Sequence, residues 1–149
     1  MILKSKIRDA FVDLLHKKIA DINVELEAVR ESATAETKSS MGDKYETSRE
    51  MMMQERNRLG SQIDVFTNQL AALNTIDTEK KYTAVSYGAI VKTDGATFFI
   101  SAAVGQLSAD GISVFAISGE APIAKAMLGK QIGDTISFNS KPFTIKDIA

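Results

Sequence analysis

The chain has 149 residues, 44% of them hydrophobic and 25% charged, with a formal net charge of −1. That composition suits one large soluble domain or two small ones, and the near-zero charge argues against an overall electrostatic grip on nucleic acid or membrane. There is no cysteine, which excludes disulfides, thiolate metal sites and cysteine nucleophiles.

The opening stretch MILKSKIRDAFVDLLHKK is charged every few residues and lacks the continuous apolar centre of a secretory signal. Nowhere does an apolar run approach the ~18 residues that cross a bilayer. A cytoplasmic protein with no membrane partner is the expectation. Residues 1–77 hold no proline, and their only glycines are Gly42 and Gly60. Leu15, Ile19, Ile22, Leu26, Val29 and Ala33 follow one another in alternating steps of four and three. Leu59, Ile63, Phe66, Leu70 and Leu73 repeat the alternation, with Met52 one heptad before Leu59. This is the apolar seam of a coiled coil.

The two seams fit each other. Val29 with Met52, Ile22 with Leu59, Ile19 with Ile63, Leu15 with Phe66 and Phe11 with Leu70 form layers sharing a midpoint near Met41. An antiparallel hairpin over 1–77 follows, turning at Ser40–Met41–Gly42 with its tip at 39–47. Gly42 gives the reversal its backbone freedom, and Asp43 suits a turn or a helix start. As one helix, residues 8–38 would extend about 45 Å, so the tip is expected far from the rest of the molecule. Arg56 falls on a seam position and reads as a register device or a snorkelling stem. Of the three methionines at 51–53, only Met52 belongs to the seam.

Residues 78–84 read as a polar hinge, and beyond them the period changes. VSYGAIV (85–91), ATFFISAA (96–103), GISVFAIS (111–118), DTISF (134–138) and FTIKDI (143–148) are short and rich in β-branched and aromatic residues. KTDGA and SADG are turn signals. In APIAKAMLGKQIG, Pro122 suits the first turn of a helix and Gly129 the residue just past its end. Residues 85–149 therefore form an α+β domain with a twisted, mainly antiparallel sheet and one short helix.

These residues resemble the Gre family of bacterial transcript-cleavage factors. The family pattern S-P-[IL]-[GA]-[RK]-A-[LM]-[LI]-G-K-x-[VI]-G-D is similar to APIAKAMLGKQIGD, with Ala121 in place of serine. VSYGAIV resembles its V-x-x-G-x-x-V strand, and DGISVFAIS its G-x-I-S strand. At the tip, GDKYETSRE keeps Gly42, Asp43 and Glu46 of G-D-x-x-E-N-A-E-Y, while Thr47, Ser48, Arg49 and Glu50 depart from it. The resemblance implies an FKBP-like C-terminal domain, and a hairpin that enters the secondary channel of RNA polymerase. Asp43 and Glu46 would then help to hold a Mg²⁺ at the polymerase's own catalytic centre, so that backtracked RNA is cut. Ala121, Pro122 and Lys125 would dock on the channel rim, and the RNA 3′ end would be met indirectly, DNA only through the polymerase complex.

The chemistry fits the resemblance. Mg²⁺ takes only a few carboxylates and keeps waters, so two exposed acids work when another protein completes the site. The chain itself is expected not to be an enzyme. Lys38, Lys44 and Arg49 near the tip could face RNA or phosphates, as could Arg56 and Arg58, although each also fits an ordinary solvated helix face. Asp43 and Glu46 fit a helix cap and a dipole partner equally well. Three other readings stand beside cleavage: a secondary-channel modulator or inhibitor, a prolyl isomerase, and a coiled-coil adaptor for another partner.

Overall fold

The computed structural model describes residues 3–39, 42–109 and 111–149, and of residues 33–39 and 42–45 the backbone alone. Two long helices, α1 (Lys4–Ser39) and α2 (Gly42–Asn74), precede a mixed six-stranded sheet with a short third helix. The chain divides into two compact units, residues 14–68 and residues 1–13 together with 69–149.

In the first unit the helices run antiparallel. Lys18 Nζ lies 5.5 Å from the centre of the Phe66 ring. Nearer the turn, Val29 and Met52 line one groove together. Burial follows the heptad: Leu15, Ile22 and Leu59 are buried, and Ile19, Leu26, Val29, Met52, Ile63 and Phe66 are half-buried. Met51 and Met53 are exposed, as the seam requires. Arg56, however, is exposed, and Glu55 is the half-buried residue between Met52 and Leu59. A straight helix drifts by ~20° per heptad against a strict 3.5 repeat, enough to shift which neighbour faces the partner. Glu55 is bound by Arg58, whose Nε donates to its carboxylate at 3.0 Å. That bond holds the Glu55 carboxyl below its usual range. The turn at Ser40–Met41 lies outside the described residues, and α2 is already helical from Gly42.

The second unit is built on β1 (Ile90–Thr93), β2 (Thr97–Ser101), β3 (Gly105–Ala109), β4 (Ile112–Ser118), β5 (Thr135–Phe138) and β6 (Lys141–Ile148). Their spatial order is β3-β4-β2-β1-β6-β5. The pairing of β2 with β4 is parallel and the other four are antiparallel. One face carries Val91, Phe98, Ile100, Ile136, Ile145 and Ile148, packed with Ala124 and Met127 of α3 (Pro122–Met127). Phe99 points to the opposite face, where its ring lies 6.3 Å from that of Phe11 in the first turns of α1. Because β2 is covered on both sides, Phe98, Phe99, Ile100 and Ser101 are all buried with no alternation, the pattern of a central strand.

Side chains tie the helix ends to this unit. Gln69 Nε2 donates to the Ala103 carbonyl at 2.9 Å, and the Tyr87 hydroxyl to the Ala72 carbonyl at 3.3 Å. Lys4, 6% exposed, donates to the Lys80 carbonyl at 2.8 Å and sits 4.6 Å from the centre of the Tyr82 ring. Burial lowers its pKa, with Asp77 opposing and Lys80 adding to the shift. Loss of water around the ammonium outweighs the attraction of the nearby carboxylate.

Segment 85–91 is not one strand. Val85 bonds to Lys130 and Gly129 through its N–H and carbonyl, a turn at Ser86–Ala89 places Gly88 at φ +91, and β1 starts at Ile90. The KTDGA turn is a closed knot. Thr93 Oγ1 accepts from the N–H groups of Gly95 and Ala96, and Asp94 Oδ1 accepts from Thr144 N–H at 3.0 Å. A Cβ on Gly95 would fall 2.5 Å and 2.7 Å from two ring carbons of Phe143. Gly95→Ala is therefore expected to destabilise the protein by about 1–3 kcal/mol, read from the denaturant midpoint. Adding Phe143→Leu should recover part of the loss, and an unmoved midpoint in the single variant would show that the ring swings aside freely.

Candidate partner-binding surfaces

The residues expected to act fall in two places, one in each unit. In unit 14–68, Asp43 and Glu46 both belong to the first turns of α2, three residues apart. That spacing places them on one helix face. Lys38 lies near the end of α1 and Lys44 at the start of α2, and the side chains of Lys38, Asp43 and Lys44 lie outside the described residues. Glu46 and Arg49 are exposed and share a shallow groove along α2 with Glu50, Met53, Gln54 and Asn57. The face is thus mixed in charge: two acids and an arginine stand within one and a half turns.

Among the described residues, no group of three or more histidine, aspartate or glutamate side chains could hold a metal ion. Carboxylate oxygens have the hardness that Mg²⁺ prefers, but two of them leave most of an octahedron to waters or to another molecule.

In the sheet unit, α3 begins at Pro122, with Ala121 in extended conformation before it and no side-chain cap. Pro122 and Lys125 are exposed, and Lys125 pairs with Glu120 at 3.4 Å. Ala121 is half-buried and packs against the core cluster. The helix stops where Gly129 adopts φ +77 and donates its N–H to Val85. The rest of the motif is held by Asp134, whose Oδ2 accepts from Gln131 N–H at 2.8 Å and whose carbonyl accepts from Ile145 N–H. GKQIGD is therefore a structural knuckle joining α3 to β5. Leu128 and Ile132, just past α3, are 46% and 57% exposed. The sequence pattern marked neither, since apolar residues in a short helix and its exit loop read as core.

No protein-family model matches the chain, and no curated protein does. Among solved structures, GreA factor homolog 1 (Gfh1) of Thermus thermophilus is similar, at 18% identity over 93% of this chain and 94% of that one, with a TM-score of 0.38. Among the described residues, no helix is long and apolar enough to cross a membrane.

Proposed function

We propose that the protein is a Gre-like transcription factor that binds RNA polymerase through its secondary channel. On this reading the coiled-coil hairpin carries Asp43 and Glu46 to the polymerase's catalytic centre. The FKBP-like domain docks on the rim through Pro122 and Lys125, with Ala121 setting the start of α3. The observation that carries the reading is the sequence APIAKAMLGKQIGD in its structural setting. Its glycines and Asp134 serve the fold and Pro122 starts α3, while the side chains of Pro122 and Lys125 stand exposed on the surface. Carboxylates at the start of α2 support a site completed in trans.

When bound, a Mg²⁺ would supply charge neutralisation and an activated water for phosphodiester cleavage. Asp43 and Glu46 would orient it, and Arg49 on the same stretch of helix would lie near the RNA phosphates. The test is shortening of RNA by stalled, backtracked polymerase with the wild type and with Asp43→Ala/Glu46→Ala. The double variant is expected to lose about 100-fold in cleavage rate, comparable to removing one electrostatic stabiliser. Equal cleavage by both proteins would reject these roles.

The second reading keeps the polymerase and replaces cleavage by inhibition. Thr47, Ser48, Arg49 and Glu50 favour it, since they depart from the Gre tip pattern. Inhibition of RNA synthesis without RNA shortening would select it.

A further inference from the structure

On the sheet face opposite α3 lies a cleft of about 330 Å³ that neither proposed surface uses. Its walls are Ile7, Ile90, Ile112 and Val114, and its rim carries Lys92 and Asp147. Strand pairing explains why these residues meet. Lys92 lies opposite Asp147 across the β1–β6 ladder, and its neighbour on that face of β1 is Ile90. Val114 joins the same face through the parallel β2–β4 register. Cross-strand partners of opposite sign normally attract. Yet among the described residues no ion pair joins these two, and Asp147 Oδ1 instead accepts from Ile148 N–H at 2.9 Å. The rim therefore carries an ammonium and a carboxylate on adjacent strands, beside an aliphatic wall.

We propose that this cleft binds a free apolar α-amino acid as its zwitterion. The ligand carboxylate pairs with Lys92, its ammonium with Asp147, and its side chain packs on Ile112, the exposed aliphatic wall of the cleft. A lone anion or cation would meet one attractive and one repulsive rim charge, whereas a zwitterion satisfies both. The volume is at the small end of ligand sites, which favours a single amino acid over a drug-sized molecule. This inference does not rest on polymerase binding.

The test is titration of the full chain, labelled with ¹⁵N, with L-leucine. Saturable shifts at Lys92, Ile112, Val114 and Asp147 are expected. Lys92→Met and Asp147→Asn should each weaken binding about tenfold, as should blocking the ligand as N-acetyl-leucine or leucinamide, since each change removes one charge-assisted bond. Thermal unfolding of both variants confirms the fold, and asparagine keeps an acceptor for Ile148. No saturable shift with leucine overturns the proposal. So does unchanged affinity in both variants, or tighter binding of either blocked ligand.

Discussion

Phe11→Ala is expected to cost about 3–5 kcal/mol of stability, the range for deleting a large buried aromatic side chain. Phe11 is 0% exposed and its ring is tilted 40° against Phe99, itself fully buried in β2. Alanine would leave a cavity beneath a central strand and forfeit the aromatic pair, worth about 0.5–1.5 kcal/mol beyond area. Helix propensity does not offset the loss, since alanine gains only tenths of a kcal/mol over phenylalanine. Denaturant unfolding followed by tyrosine fluorescence and by circular dichroism measures it. Phe11→Leu should restore more than half. A loss below about 1 kcal/mol in the alanine variant would mean that the first turns of α1 contribute little to covering the sheet.

The second large effect is expected in the other unit. Leu59 is 1% exposed in a helix pair whose other layers are mostly half-buried, so it supplies an unusual share of that unit's buried surface. Leu59→Ala should cost about 2–5 kcal/mol, with no contribution from propensity, because alanine is the better helix former. Amide exchange locates the damage: residues 19–29 and 52–66 should lose protection first, while amides in β1 and β2 keep theirs. Uniform loss across both groups would contradict an independent weakening of the helical unit.

Both predictions concern residues whose burial was legible in the sequence. Leu15, Ile22 and Leu59 sit on a heptad, and a heptad declares its inner face whatever it packs against. Phe99 was visible only as part of an apolar run. Periodicity puts its facing partner, Phe11, in a seam layer with Leu70, because it carries no information about what else a helix end covers. A count in strict heptads puts Arg56 on the seam where Glu55 stands, since it ignores the drift of a real helix. No sequence pattern marks strand β3. Its sequence GQLSA has one large apolar residue and begins with glycine at φ +112, and its pairing with β4 makes it a strand. The β5–β6 hairpin likewise turns on Asn139 and Ser140, both at positive φ, with no Asn-Gly or Asp-Gly signal to announce it.

The candidate surfaces divide in the same way. Pro122 and Gly129 bracket α3 where the sequence places them, because each acts through its own backbone. Glu46 and Arg49 lie on α2, which extends back to Gly42 through most of the expected tip at 39–47. Lys92 and Asp147 could not be associated from sequence. They are brought together by the ladder between β1 and β6, far apart in the chain, and nothing local to either residue marks the pairing.

The sheet unit is discontinuous along the chain, its first thirteen residues rejoining a segment that starts at Gln69. The intervening helices make neighbouring contacts and can zip together soon after their turn forms. β4 must slip between β3 and β2, and β6 between β1 and β5, before the sheet is complete. High contact order of this kind slows folding, so a growing polypeptide would carry finished helices while Phe99 and Val114 await their cover. Phe11 emerges early from the ribosome and is used late, so the face of β2 that it covers stays open until both ends of the unit meet.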